Sequence, residues 1–296
     1  ASENNRRKTE YDFGTNPCSE IILRPYQFCN LTEVVVRAED TIETLERKVE
    51  LATILGTIQS TLTDLKYLRK IWKDNTEEER LLGVSLTGIM DCELLNNSTA
   101  GYLPDLLTNL KKVAVSTNLG LSSKLGIPQS TAITCVKPSG TVSQLVDSAS
   151  GIHARHNPYY IRTVRADKKD PLAKAMVEAQ FPVEDDVMKP EHTYVFSFPM
   201  KADPGAVFRT DMTAIEQLEL WLKYQMHWCE HKPSVTITVK EHEWMEVGAW
   251  VYANWDWMSG VSFLPFSDHT YRQAPYQDCT KEEYEEFKTK MPGEVN

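Results

Sequence analysis

The feature that most constrains this 296-residue chain is a change of hydrophobic period. The β-branched run Val34-Val35-Val36 fits a strand ending near Arg37. From Asp40 onward, apolar residues recur at three- and four-residue steps: Ile42, Leu45, Val49, Ala52, Leu55, Ile58, Leu62, Leu65 and Leu68. The spacing predicts a helix of about thirty residues packed on a sheet, opened by a capping box from Asp40 to Glu43, with a break near Gly56 or Thr61 allowed. Leu82 to Gly88 reads as a second strand, a helix runs from near Pro104 to Gly126, and Thr131 to Val136 reads as a third strand. Ser234 to Val239 and Gly260 to Pro265 complete five short strands. Strands alternating with helices point to an α/β architecture with parallel neighbours.

The remaining segments carry their own signals. Residues 1–13 read as a polar lead-in. Asp170-Pro171 opens a short helix through Ala179, and Thr193 to Phe198 alternates like a hairpin strand. Between them, Val183 to Pro190 reads as an exposed acidic excursion. Thr213 with Glu216 caps a helix ending at Trp228, and a last helix runs from Thr280 to Lys290. Trp244, Trp250 and Tyr252 read as core aromatics.

Composition narrows the function classes. A net charge of −10 argues against broad binding to a nucleic-acid backbone, which requires a basic surface. No stretch is long and apolar enough for a membrane span, and the first residues lack a signal-peptide core, so a cytoplasmic location is expected. The six cysteines contain no CxxC pair and read as reduced thiols, among which any disulfide would be catalytic and transient. His227-x-Cys229-x-His231 is spaced too tightly for a usual zinc finger, and no metal site is expected.

Two stretches carry chemistry. In extended Asn16-Pro17-Cys18-Ser19-Glu20, period-two alternation would turn Asn16, Cys18 and Glu20 to one side, and Pro17 would stiffen the loop. An amide can hold a hydroxyl, a carboxylate can take its proton, and a sulfur can act as thiolate or, after one-electron oxidation, remove a hydrogen atom. The plain alternative makes Cys18 a small core residue and Glu20 a solvated charge. The second stretch is Pro138-Ser139-Gly140-Thr141-Val142-Ser143, between a strand and a helix start, where free N–H groups and hydroxyls suit a phosphate but also suit an ordinary cap. It lacks the Lys-Ser/Thr pair of a Walker A loop. The basic, aromatic run from Gly151 to Arg165 faces either a nucleotide or cofactor, or solvent as a turn and edge strand.

Asn16-Pro17-Cys18-Ser19-Glu20-Ile21, Phe28-Cys29-Asn30-Leu31 and Pro138 to Ser143 together resemble the catalytic large chain of ribonucleotide reductases, in the family's order, from Gly14 to about Tyr284. The resemblance implies a ten-stranded α/β barrel built from two five-stranded halves. This chain looks like the second half, residues 14–296, with finger loop 14–20 and helices outside. An open half would expose a sheet edge, so a partner bearing the first half is expected, and the isolated chain should not turn over. By resemblance, Cys18 becomes a thiyl radical, Glu20 takes the 3′-hydroxyl proton, Asn16 binds ribose hydroxyls, Cys29 is a reducing thiol, and Pro138, Ser139, Gly140, Thr141, Val142 and Ser143 hold the phosphates. Substrate would be a ribonucleoside di- or triphosphate, with a thioredoxin-like or other dithiol as reductant.

The family's second reducing cysteine and its C-terminal cysteine pair have no counterpart here. The eleven-residue step from Cys18 to Cys29, the form of the 138–143 loop, and Ser259-Gly260-Val261-Ser262-Phe263-Leu264-Pro265 resemble the adenosylcobalamin-dependent class. The last strand lacks the tyrosine pair of the iron-dependent class. That class, and a non-catalytic nucleotide-binding or assembly module, are the alternatives.

Overall fold

A computed structural model describes residues 4–266 and 271–293, which form two compact units, 4–154 with 205–266 and 155–204 with 271–293. In the first, β1 (Gly14–Thr15) and β2 (Ile22–Leu23) pair antiparallel, with Gly14 opposite Leu23 and Thr15 opposite Ile22. There follow β3 (Asn30–Val35), α1 (Ile42–Gln59), α2 (Lys70–Glu79), β4 (Leu82–Thr87), the short α3 (Glu93–Asn96), α4 (Leu103–Leu125), β5 (Thr134–Cys135) and α5 (Gly140–Leu145). The second unit then supplies β6 (Tyr159–Asp167), α6 (Pro171–Glu178), β7 (Val183–Asp185) and β8 (Thr193–Lys201). The first resumes with α7 (Ala214–His227), β9 (Val235–Val239), α8 (Trp244–Ala253) and β10 (Val261–Pro265), before β11 (Tyr276–Asp278) and α9 (Lys281–Lys288) in the second.

The five strands expected from sequence are parallel and neighbour one another in chain order. β3, β4 and β5 form one sheet, with Glu33 opposite Ser85 and Val84 opposite Thr134. β9 and β10 form another, and a parallel bridge between Val136 and Pro233 joins the two. The bridge is held by Val136 N–H donating to Lys232 C=O at 3.1 Å and Ser234 N–H donating to Val136 C=O at 2.9 Å. One face of this array is covered by helices. Val34, Val36, Leu82, Val84 and Leu86 share a buried core with Leu45 and Val49 of α1, Leu103 to Ala114 of α4, and Leu218, Trp221 and Tyr224 of α7. Burying side chains of this size stabilises the fold by about 1.5–3 kcal/mol each. The two buried indoles are satisfied, Trp221 donating to Pro233 C=O and Trp228 to Cys135 C=O, each at 2.8 Å.

Several expectations need correction. α1 has 18 residues and ends at Gln59, capped by Thr41 and Thr44 instead of Asp40 and Glu43. Near its end Thr53, Thr57 and Ser60 turn their hydroxyls back onto backbone carbonyls, a competition that weakens helix propagation. Leu62 and Leu68 consequently lie exposed in turns, although they keep the periodic spacing. The lead-in is not loose, because Arg7 is buried and paired bidentately with Glu79 at 2.9 and 3.0 Å. Tyr252 is 85% exposed and Trp244 lies at the surface, so these residues of α8 are not core. In the second unit the antiparallel order is β11-β6-β8-β7, which makes β6 an interior strand, and β7 lies where an irregular excursion was expected. Among the described residues no helix is long and apolar enough to cross a membrane.

Candidate active site

The finger is the β1–β2 hairpin, and its tip is a turn. Ser19 adopts φ +64° and donates its N–H to Asn16 C=O at 2.9 Å. Asn16 braces the turn twice, its N–H donating to Ile21 C=O at 3.3 Å and its Oδ1 accepting from Ile21 N–H at 3.0 Å. The turn abolishes period-two alternation over residues 16–20. Cys18 is exposed and Glu20 is buried, while Asn16 is half-buried and spends its amide oxygen inside the loop.

Cys18, Pro17 and Ser19 line a cavity of about 320 Å³ whose other walls include Pro138, His153, Thr236, Gly260 and Ser262. The finger thus reaches across to the start of the 138–143 loop. Gly260 permits that approach, since a Cβ there would lie 3.1 Å from Ser19 C=O. Glu20, Asn16 and Cys29 do not line the cavity wall. Glu20 keeps a buried Oε2 without a hydrogen-bond partner among the described residues. Cys29, just before β3, is half-buried. Burial pushes its thiol well up, Arg7 offsets this in part, and the nearby Glu20 carboxylate adds to the rise, so Cys29 is held as a thiol at neutral pH.

The 138–143 loop is tighter than its sequence suggests. Ser139 has φ +27° and Gly140 φ +40°, and α5 is only six residues long. Ser143 is fully buried and its hydroxyl donates to Gly140 C=O at 2.8 Å, so it is not a free donor. Ser139 is buried, and Gly140, Thr141 and Val142 are exposed. Of the six residues only Pro138 lines the cavity with Cys18.

Sequence reasoning passed over part of the wall. Thr236 and Ser262 sit on β9 and β10 with their hydroxyls 2.9 Å apart. His153 Nε2 accepts from Thr236 N–H at 3.0 Å and its Nδ1 contacts Ser150 C=O at 2.9 Å, which fixes the Nδ1–H tautomer, and burial lowers its pKa. The missed signal was the alternation of Ser234, Thr236 and Thr238 with buried Val235, Ile237 and Val239, a hydroxyl-bearing strand face. His227, Cys229 and His231 serve separate structural roles: His227 is near Thr108, Cys229 is buried, and His231 bonds two backbone groups.

No family model matches the chain. It is 30% identical, over 96% of its length, to an adenosylcobalamin-dependent ribonucleoside-triphosphate reductase of Euglena gracilis, and 28% identical over 95% to that of Lactobacillus leichmannii. These matches cover 38% and 41% of the two relatives, so the chain spans about two fifths of their length. A crystal structure of a B12-dependent, class II ribonucleotide reductase superposes with a TM-score of 0.79 at 26% identity, over 95% of this chain and 42% of that one. The alpha subunit of the Actinobacillus ureae class Id reductase shares the fold alone, with a TM-score of 0.56 at 12% identity.

In sequence and in fold the chain is similar to about two fifths of the catalytic chain of ribonucleotide reductases. Its sequence similarity is to adenosylcobalamin-dependent reductases, and the class II structure superposes on it more closely than the class Id one.

Proposed function

We propose that this chain carries the radical finger of a class II ribonucleotide reductase and reduces ribonucleotides together with a first barrel half. The observation that carries this reading is the exposed Cys18 at a braced turn, lining one cavity with Pro138 of the second chemical loop. Cys18, as a thiyl radical, removes the 3′ hydrogen of the ribose. Glu20, with its free buried oxygen, accepts the 3′-hydroxyl proton, and the amide nitrogen of Asn16 donates to a ribose hydroxyl. Cys29 is one of two thiols that reduce the sugar after the 2′ hydroxyl leaves as water, and the pair closes to a disulfide. Backbone N–H groups and exposed Thr141 at the 138–143 turn bind the phosphates.

Adenosylcobalamin, when bound, supplies the one-electron chemistry that oxidises a thiol. The residues present fit it in one respect: Cys18 is exposed at the finger tip, so a cofactor larger than the cavity can approach the sulfur from outside. The five parallel strands support the reading as a half-barrel, since an open array of this kind needs another sheet against its edge. A cytoplasmic dithiol such as a thioredoxin would reopen the disulfide.

The test is reconstitution with the first half of a class II relative, adenosylcobalamin, a dithiol and ribonucleoside triphosphate. Deoxynucleotide should form with the wild-type chain, and neither with Cys18→Ser nor with the chain alone. Equal product from Cys18→Ser would sink the radical role, and product without a partner would remove the split-barrel reading.

A further inference from the structure

The finger's seat is set by two buried ionisable side chains that meet at one residue. Ile22 N–H donates to Nδ1 of His231 at 3.2 Å, and Ile22 C=O accepts from the Arg7 guanidinium at 2.9 Å. In an antiparallel pair the N–H and C=O of one residue point the same way. Both groups of Ile22 therefore lie on the hairpin edge away from β1. Two residues earlier on the same edge, Glu20 C=O accepts from Lys232 N–H at 3.0 Å.

Neither grip has slack. His231 is 2% exposed, and its Nε2 donates to Leu82 C=O of β4 at 2.9 Å, which leaves Nδ1 as the acceptor that Ile22 requires. Burial, reinforced by the charge of Arg7, lowers the His231 pKa to about 3, so the ring is neutral near pH 7. A protonated ring would set one N–H against another. Arg7 is fixed by both oxygens of Glu79 at the end of α2, with side chains only 1% and 3% exposed. Gln27 also donates to Glu79, tying the approach to Cys29 into the same cluster. The finger is thus anchored to α2 and β4 by residues 15 and 209 positions from Ile22.

We propose that His231 and Arg7 are positioning residues for Cys18: by holding both backbone groups of Ile22 they fix the height of the hairpin, and so aim the sulfur at the cavity. This rests on Cys18 being the reactive thiol, but its test reads the clamp without turnover, so the two readings can fail separately.

In the full chain, amide hydrogen exchange at Ile22 and iodoacetamide alkylation of Cys18 are measured for wild type, His231→Leu and His231→Gln, with the β4 amide of Val84 as a global-unfolding reference. Losing the acceptor should speed Ile22 exchange relative to Val84 by roughly 5- to 100-fold, the range for an orphaned buried donor, and change the alkylation rate at least about twofold. Glutamine carries both an acceptor and a donor and should restore both readouts. If Ile22 and Val84 accelerate together, or glutamine behaves like leucine, the imidazole only fills space and the proposal is overturned. Should His231→Leu fail to fold, ¹⁵N spectra of the wild-type ring decide: a neutral Nε2–H tautomer at about pH 6 supports the clamp, and an imidazolium or Nδ1–H form overturns it.

Discussion

Gly83→Ala is expected to lift the finger from the sheet. Gly83 lies in β4, where a Cβ would meet Leu31 Cδ2 at 2.4 Å, Ile21 Cδ1 at 3.0 Å and Cys135 Sγ at 3.4 Å. Carbon atoms at rest sit about 3.5–4.0 Å apart, so the new methyl overlaps Leu31 by roughly 1 Å and Ile21 by roughly 0.5 Å. Leu31 is 37% exposed and can swing outward. Ile21 is 1% exposed and sits beside Glu20, so its displacement moves the turn that carries Cys18. Overpacking costs about 1–3 kcal/mol. Alanine's stiffer unfolded chain offsets about 0.4–1 kcal/mol of that. A net loss of about 1–2 kcal/mol corresponds to a Tm lower by roughly 2–8 °C in a chain of this size. Thermal unfolding followed by tryptophan fluorescence measures the loss, and iodoacetamide labelling of Cys18 in the folded protein should change at least about twofold. An unchanged or raised Tm with unchanged labelling would refute the reasoning, because Leu31 alone would then absorb the methyl and the finger would not rest on Gly83.

Four further outcomes are expected. Cys18→Ser should alter stability by less than about 0.5 kcal/mol, because the residue is exposed, while abolishing deoxynucleotide formation in the reconstituted enzyme. Glu20→Gln should lower that turnover by about 10²- to 10⁴-fold, the range for a lost general base, and a drop under tenfold would assign the proton to another group. Gly88→Ala should destabilise by about 1–3 kcal/mol or more in chemical denaturation, since Gly88 has φ +83° and a Cβ there would lie 2.4 Å from Val36 C=O, a backbone atom that cannot rotate away. The pH dependence follows from His231, whose pKa falls from 6.5 to about 3 on folding. Between those values the unfolded chain binds a proton that the native state refuses. This contribution is complete above 6.5 and falls with acidification by roughly 1.4 kcal/mol per pH unit down to about pH 3. Denaturation of wild type against His231→Gln isolates this contribution, and parallel pH profiles would contradict it.

Much of the fold was legible in the sequence wherever structure is local. The five strands fall within a few residues of their expected places, because β-branched runs between turn residues need no distant partner to be recognised. α4 ends at Gly126 in the left-handed conformation, α6 begins at Asp170-Pro171, and α7 and α9 carry the Thr213–Glu216 and Thr280–Glu283 capping boxes. Each of these signals spans four residues or fewer. The run from Asn16 to Glu20 also contains the three residues, Pro17, Cys18 and Ser19, that line the candidate cavity, although its turn was not legible.

Tertiary contacts settled what local periodicity could not. The spacing of Leu62 and Leu68 continues that of α1, yet the helix stops at Gln59, where Arg80 donates to Ser60 C=O at 2.6 Å and Asn118 to the Thr57 hydroxyl at 2.9 Å. Arg7 looked like a lead-in charge until Glu79, 72 positions away, proved to be its partner. Ser19's positive φ, and not alternation, turns Cys18 outward and Glu20 inward, and it is held by Asn16's grip on Ile21 within the loop and by the sheet beneath. Periodicity reports which face of an element is apolar, whereas the aim of a single sulfur depends on which distant donors and acceptors occupy the backbone beside it.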